Sequence, residues 1–269
     1  MTTAHARPTK PRGLSGPVGI ALLLAAAFGL VPLLASDYLF AAILTPFLAL
    51  ALAGLGLNLL TGYAGLLSLG SAAVMAVGAY AAVNLALRLP GLPLPLAILG
   101  AGPAAAAGLV AGLPALRLKG FYLAVSTLAA QFFVACALNR IGRLSNDSPS
   151  GVINAPRLVV AGVSFEAPRG RYLFSLIVVA LLSAAAWRLV RTPIGRNLVA
   201  IRDQEIAARI AGVKVARTKL LAFALPSFIV GIAGVFWAFA YLRTVEPAGF
   251  NLDRSFQSGR GLRRCRLLV

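Results

Sequence analysis

Long apolar runs with almost no charged residues constrain this chain more than any other feature of its sequence. They lie near 16–36, 38–60, 64–87, 92–113, 121–139, 172–190 and 219–242. About 20 residues of helix cross a hydrocarbon layer of about 30 Å, so each run is long enough to span a bilayer. Helices also satisfy their own backbone hydrogen bonds in lipid. The sequence therefore predicts an all-α fold, a polytopic transmembrane helical bundle with about seven spans.

The composition supports a membrane protein. Of the 269 residues, 59% are hydrophobic and 12% are charged, whereas an ordinary soluble domain has roughly 45–50% apolar and about 25% charged residues. One core cannot bury an apolar surplus of this size, so the lipid bilayer must be the solvent for much of the chain.

The formal net charge of +18 comes from basic residues in short segments between the apolar runs. Lys and Arg in such segments hold loops on the cytoplasmic side of a membrane, so we expect no nucleic acid partner. Their distribution favours a cytoplasmic N-terminus. This orientation predicts a basic cytoplasmic segment at 1–15, an external loop at 140–171 and a cytoplasmic loop at 188–219, within a transmembrane domain of residues 16–256.

Chemical groups that drive catalysis or ion coupling are missing from the predicted spans. None of the runs has Asp, Glu, Lys, Arg or His in its interior, and the one histidine, His5, lies in the N-terminal tail. Proton-coupled transporters usually carry such groups inside the membrane, although sodium coupling through backbone carbonyls stays open. The chain also has no Gly-x-x-x-x-Gly-Lys-Ser/Thr phosphate loop. We expect no catalytic residue, metal or cofactor, and ATP-driven transport would need a separate ATPase.

The loop at 188–219 encodes two short helices. Thr192 is predicted to cap the first with its hydroxyl, and Pro193 suits its first position. Asp203 is predicted to cap the second, and Gly212 suits the left-handed position just past its end.

The second helix carries an apolar stripe. Its members are Ile206, Ala207, Ile210 and Ala211. Such a stripe either fits a groove on a partner protein or packs against the bundle's own ends. The residues alone leave both readings open.

Residues 195–214, GRNLVAIRDQEIAARIAGVK, resemble the coupling-loop signature of branched-chain amino acid ABC transporter permeases. The match is to the subunit that pairs with a second, homologous permease. Further stretches resemble the family's motifs in the family's order: Gly62–Gly65, Ser68–Gly70 and Gly78–Tyr80, then Leu116–Gly120, Tyr122–Ala124 and Thr127–Ala129, then Ser150–Val152 with Pro156. The resemblance runs from about Asn58 to Phe256.

The resemblance implies a permease subunit in the bacterial inner membrane that carries branched-chain or related amino acids by alternating access. It implies two ATPase subunits, a second permease and a periplasmic substrate-binding protein as partners. The residues expected to couple to the ATPase are Gly195, Arg202, Asp203, Glu205, Ala208 and Gly212. An ion-coupled secondary transporter or channel for a small polar solute such as urea or an amide is the alternative.

Hydroxyl groups inside apolar spans need hydrogen-bonding partners, and a passing solute is one such partner. The candidates for the translocation pathway are Tyr63, Ser68, Tyr80, Tyr122 and Thr127; neighbouring helices can satisfy the same groups. Three positions depart from the family's pattern: Leu66 stands where Gln is expected, Ser71 where His or Gln is common, and Val74 where Phe is usual. These departures leave the identity of the solute open.

Glycine and other small residues mark two further features. Gly100, Ala104, Gly108 and Gly112 share one helix face, which favours close helix packing, with a pore-lining role as the alternative. The stretch 61–65 is predicted to be a tight turn or an interrupted helix that dips into the membrane.

The last residues, 257–269, are basic and have no helical apolar pattern. The family continues there into a Gly-rich segment and further membrane helix. We interpret this tail as the product of a frameshift near Gln257 that removes the final span or spans; a genuine short basic tail is the alternative.

Overall fold

The computed structural model describes residues 36–88, 101–118, 120–140, 153–154, 159–160, 163–164, 168–242 and 244–245. The helices within these ranges are α1 (Asp37–Tyr63), α2 (Ser71–Arg88), α3 (Ala101–Gly112), α4 (Phe121–Arg140), α5 (Pro168–Arg191), α6 (Pro193–Asp203), α7 (Glu205–Ile210) and α8 (Val215–Leu242). The strands are β1 (Ile153–Asn154), β2 (Val159–Val160), β3 (Val163–Ser164) and β4 (Thr244–Val245).

The all-α transmembrane bundle is confirmed. Five of the described helices, α1, α2, α4, α5 and α8, are long and apolar enough to cross a membrane. Helix α3 is shorter, with 12 residues, and continues into a 3₁₀ turn at Leu113–Leu116. The predicted span at 16–36, the segment 1–15 and the tail 257–269 lie outside the described residues.

Several predicted boundaries move. The second described span begins at Ser71 rather than at residue 64, because residues 64–70 form a non-helical segment, called the break below. The polar loop predicted at 188–219 is shorter, since α5 continues to Arg191 and α8 begins at Val215. Hydropathy indicates where a segment is buried in lipid or protein, and not whether its backbone is helical. The break is apolar without being helical, whereas the loop-side ends of α5 and α8 are helical without being apolar.

Helix α8 forms the centre of the bundle, with α1, α2 and α3 packed around it. Small residues allow the backbones to approach. A Cβ at Gly78 of α2 would lie 2.7 Å from Gly231 Cα of α8, and a Cβ at Gly56 of α1 would lie 2.7 Å from Val230 Cγ2. Van der Waals packing of this kind drives helix association in lipid, where apolar burial between helices contributes little.

The small-residue face of α3 packs against α8, as predicted. Ala104, Gly108 and Gly112 are buried, and a Cβ at Gly108 would collide with Ser227 of α8. Gly100 lies outside the described residues. The packing reading holds for these three positions, and Gly108 also borders a cavity described below.

The two ends of the bundle are built differently. At one end, called the strand side, β1 pairs with β4 in antiparallel fashion. There Arg169 Nε lies 3.5 Å from Asp37 Oδ1, and Arg171 donates a hydrogen bond of 3.2 Å to the carbonyl of Ala240. The opposite end, called the loop side, carries the break, α6 and α7.

Candidate functional site

A cavity of about 300 Å³ lies between α1, α2, α3, α4 and α8. Its wall is mostly apolar, and the described residues that line it include no charged side chain. Five of them carry hydroxyl groups: Ser68, Ser71, Ser126, Thr127 and Ser227. Ligand pockets are typically of about 300–1,000 Å³ and apolar with a few polar groups. The described residues contain no group of three His, Cys, Asp or Glu side chains suited to a metal ion.

The cavity lies in the half of the bundle nearer the loop side. Thr127 is six residues from the start of α4, and Phe223 is eight residues from the start of α8. At 1.5 Å per residue these residues lie about 9–12 Å from the helix ends. Pro226 interrupts the hydrogen-bonding ladder of α8 at the cavity wall. A solute there would be within the membrane but close to the loop side.

The break forms part of the cavity wall and is bound to α4. The Leu69 N–H donates a hydrogen bond of 3.0 Å to Thr127 Oγ1, and the Thr127 hydroxyl donates one of 2.9 Å to the carbonyl of Ala124. A Cβ at Gly70 would lie 2.8 Å from the Thr127 carbonyl oxygen. Glycine is needed there for close approach, so the break is closely packed against α4.

The first loop helix contacts the other end of the break. Arg202 of α6 donates a hydrogen bond from Nη1 to the carbonyl of Gly62 in the last turn of α1. Gly65 has φ +67°, and a Cβ there would lie 2.8 Å from Arg202 Cγ. Gly195 on the same helix is buried against the end of α5. A Cβ there would collide with the Val190 carbonyl, so the close approach of the two helices requires glycine.

The two predicted loop helices are present, and Thr192 and Pro193 stand at the start of α6 as predicted, but the predicted cap hydrogen bond of Thr192 does not form and Asp203 is not the cap of α7. The Thr192 hydroxyl donates a 2.6 Å hydrogen bond to the carbonyl of Leu189 at the end of α5, which also accepts the Thr192 N–H at 3.1 Å. Asp203 is the last residue of α6, and the extended residue Gln204 precedes α7 without a side-chain cap. Gly212 has φ +84°, the predicted left-handed conformation.

The inner face of helix α7 is bound to α8 and α6. Lys219 Nζ of α8 lies 3.1 Å from Glu205 Oε1, and their side chains are 4% and 19% exposed. Ala208 is buried and packs with Ile201 and Val215. The Val213 N–H bonds the Ala208 carbonyl at 3.0 Å and the Gly212 N–H bonds the Arg209 carbonyl at 3.1 Å; this Schellman arrangement closes the helix.

The apolar stripe of α7 faces away from the bundle. Ile206 is 76% exposed and Ile210 83% exposed, and Ala207 and Ala211 are exposed beside them. Asp203, the last residue of α6, is also exposed. The stripe therefore does not pack against the described part of the bundle, and its contact with a partner protein stays a prediction.

The predicted pathway residues fall in different places. Ser68 and Thr127 line the cavity. Tyr63 is half-buried at the end of α1, Tyr80 is 1% exposed within the core, and Tyr122 is 74% exposed; these three are not among the residues that line the cavity.

The three residues that depart from the family's pattern also lie in different places. Ser71 and Val74 line the cavity, whereas Leu66 packs against an apolar cluster that includes Leu123 and Phe223. Leu66 therefore does not determine the polarity of the cavity wall.

Sequence reasoning missed Ser126, Ser227 and Lys219. The serines stand beside Thr127 and Pro226, and a hydroxyl next to a helix-interrupting proline in an apolar run is a usable signal. Lys219 marks the polar boundary of an apolar run, so hydropathy alone gives it no other role. Its partner, Glu205, is one of two acidic residues in a loop otherwise rich in Lys and Arg, which makes it the natural place to look for an internal ion pair.

Comparison with known proteins gives one family and several relatives. Residues 39–257 match the family described as branched-chain amino acid transport system / permease component. The high-affinity branched-chain amino acid transport system permease protein LivM of Escherichia coli K12 is 34% identical over 229 residues, covering 75% of this chain and 52% of the relative. Shorter matches include the autoinducer 2 import system permease protein LsrC of Klebsiella pneumoniae (45% over 62 residues; 23% and 18% of the two chains) and the L-arabinose transport system permease protein AraH of Escherichia coli K12 (44% over 62 residues; 23% and 19%). The chain spans about half the length of the LivM proteins it matches. No solved structure matches it.

Proposed function

The chain belongs to the branched-chain amino acid transport system permease family, and on that basis we propose that it is the membrane-spanning permease subunit of an ATP-driven importer. Its solute is a branched-chain or related amino acid, and it works in a bacterial inner membrane. Separate ATPase subunits drive the bundle between two states, in which the cavity opens to opposite sides of the membrane.

The cavity is the observation that carries this proposal. Its apolar wall suits an aliphatic side chain, and its five hydroxyl groups can pair with the polar groups of a small solute. Ser68 and Thr127 are the two predicted pathway residues found there. A non-helical segment at membrane depth is also typical of transporter sites, because irregular backbone is tolerated where it borders a cavity.

The exposed face of α7 is the proposed docking surface for the ATPase. It consists of Ile206, Ala207, Ile210 and Ala211, and the exposed Asp203 precedes α7 by two residues. Gly195 and Ala208 are buried within the loop, the exposed Gly212 ends α7 in the left-handed conformation, and Glu205 anchors the loop to Lys219. An apolar helix face of this kind fits a groove on a partner. The loop side then lies in the cytoplasm, and the strand side meets a periplasmic binding protein; a second permease completes the membrane unit.

Uptake into proteoliposomes tests the solute and the energy source together. The chain is co-purified with the ATPase, second permease and binding protein encoded beside it, and radiolabelled leucine is supplied with the binding protein. We expect uptake that requires ATP, resists a protonophore and a sodium ionophore, and is competed by isoleucine and valine but not by urea. Uptake without ATP that collapses with either ionophore would establish the ion-coupled alternative instead.

Docking is tested separately by Ile210→Asp, because a carboxylate cannot enter an apolar groove without a partner. We expect the ATPase retained per permease on an affinity column to fall at least about tenfold. Arg196→Asp is the matched control, on exposed surface of the neighbouring helix α6. It changes the loop charge by a larger amount, so equal losses in both variants would show that charge, and not the α7 face, determines retention.

A further inference from the structure

We propose that Arg202 is a positioning residue that transmits movement of the loop helices to the solute cavity through the break. The role of that movement in transport rests on the proposed function. The contacts that carry it are those of Arg202 with Gly62 and Gly65 at one end of the break, and of Leu69 and Gly70 with Thr127 at the other.

The end of α1 is a natural binding site for a guanidinium group. The last carbonyls of a helix have no partner within the helix, and its C-terminus carries a partial negative charge. Arg202 donates to the Gly62 carbonyl in that last turn. Its aliphatic stem lies against Gly65, where a Cβ would come within 2.8 Å of Arg202 Cγ. A shift of α6 therefore pushes or pulls directly on the backbone at the start of the break.

The break is too short and too well bound to absorb such a shift. Ser68, which lines the cavity, follows Gly65 by three positions, and a chain of that length reaches about 10 Å at most. The Leu66 N–H is bonded to the Leu60 carbonyl at 3.2 Å, and the Leu69 N–H to Thr127 Oγ1 at 3.0 Å. A displacement at Gly65 thus reaches Ser68 and Thr127, where the solute would lie.

Arg202 is exposed, as are two other cations of the loop, and the difference between them lies in the groups that they contact. Arg209 is 73% exposed and lies 4.0 Å from Glu205 within its own helix. Arg196 is exposed on the first turn of α6, with the same charge and on the same helix as Arg202. Arg196→Ala is therefore the matched control for Arg202→Ala.

The first experiment uses the full chain alone in lipid nanodiscs and measures amide hydrogen exchange. In Arg202→Ala, the amides of residues 64–70 should exchange about tenfold faster, since a charge-assisted hydrogen bond that holds the break is lost. The central amides of α8 should keep their rates, and Arg196→Ala should match the wild type. Unchanged exchange at 64–70 in Arg202→Ala would overturn the proposal.

The second experiment measures the ATP hydrolysed per leucine taken up by the reconstituted importer. Arg202→Ala should raise this ratio about tenfold, because docking persists while the link to the cavity is weakened. Arg202→Lys, which retains a donor, should fall between the alanine variant and the wild type, and Arg196→Ala should not change the ratio. A variant that only misfolded would lower hydrolysis and uptake together, and an unchanged ratio would refute the inference. If the wild type takes up no leucine, the proposed function fails, whereas the exchange experiment still decides the role of Arg202 at the break.

Discussion

The ion pair between Glu205 and Lys219 is predicted to anchor α7, and Glu205→Gln tests it. The two charged atoms lie 3.1 Å apart, which corresponds to an attraction of about 5 kcal/mol at an effective dielectric constant of about 20. Desolvation offsets much of this in the intact pair. Removal of one partner, however, leaves the other charge buried, which typically costs about 3–5 kcal/mol. Lys219 is 4% exposed but Glu205 is 19% exposed, so we expect the lower end, about 3 kcal/mol.

This loss should be visible in thermal unfolding of the chain in nanodiscs. At about 2–4 °C per kcal/mol, Glu205→Gln should lower the Tm by about 6–12 °C. The double variant Glu205→Gln with Lys219→Met should recover most of the loss, since it leaves no buried unpaired charge. Arg209→Ala is the control, because this exposed i,i+4 partner at 4.0 Å should contribute less than about 0.5 kcal/mol.

Two results would refute the reasoning. A Glu205→Gln variant no less stable than Arg209→Ala would show that the pair carries no anchoring energy. A double variant as unstable as the sum of its two single variants would show that the side chains act independently, and that loss of an unpaired charge is not the cause.

Two further predictions concern packing and the cavity. Gly108→Ala should destabilise the chain by about 1–3 kcal/mol through collision with Ser227. Gly102→Ala is the control, because a Cβ there has nothing within 4 Å, and it should leave the Tm unchanged or slightly raised. Equal effects of the two variants in a thermal scan would contradict the close approach of α3 and α8. Ala130→Phe should reduce leucine uptake by about tenfold or more by filling the cavity. Val125→Phe, at a 47% exposed position on the same helix α4, should not, and equal uptake by both variants would exclude Ala130 from the pathway.

The spanning helices could be predicted because lipid imposes one requirement on every residue of a span. The start of α2 could not, since residues 64–70 are apolar enough for a membrane yet non-helical. Gly65 at φ +67° and the bond from Leu69 to Thr127 determine that conformation. The second of these contacts joins residues far apart in the chain, so a hydropathy profile cannot reveal it.

Local rules also predicted the two loop helices and the conformation of Gly212, but not the caps. A hydroxyl at Thr192 has two acceptable roles, as a cap for α6 or as a donor to the end of α5. The choice depends on the angle between these helices, and the structure shows the second role. The pair of Glu205 and Lys219 was missed for a related reason, because it joins α7 to α8 across a turn.

The candidate site could be predicted in part. Ser68 and Thr127 line the cavity, but Tyr80 and Tyr122 do not, although all four were selected as hydroxyls in apolar spans. What separates them is the rotation of each helix about its own axis. That rotation follows from contacts such as Gly78 with Gly231, which depend on both partners at once. The part that these residues play in translocation stays a prediction.

The strand side combines weak polar contacts with buried apolar ones. The polar contacts include a two-residue strand pairing, an exposed ion pair between Asp37 and Arg169, and a bond from Arg171 to the Ala240 carbonyl. Exposed ion pairs contribute about 0–1 kcal/mol each. The apolar contacts of the same end are buried: the ring centroids of Phe40 and Tyr172 lie 5.2 Å apart, and Ile153 and Val245 of the paired strands are 4% and 0% exposed. Opening at this end would therefore expose packed side chains together with the strand pairing, so it should occur as one cooperative step that needs work from the far end of the molecule.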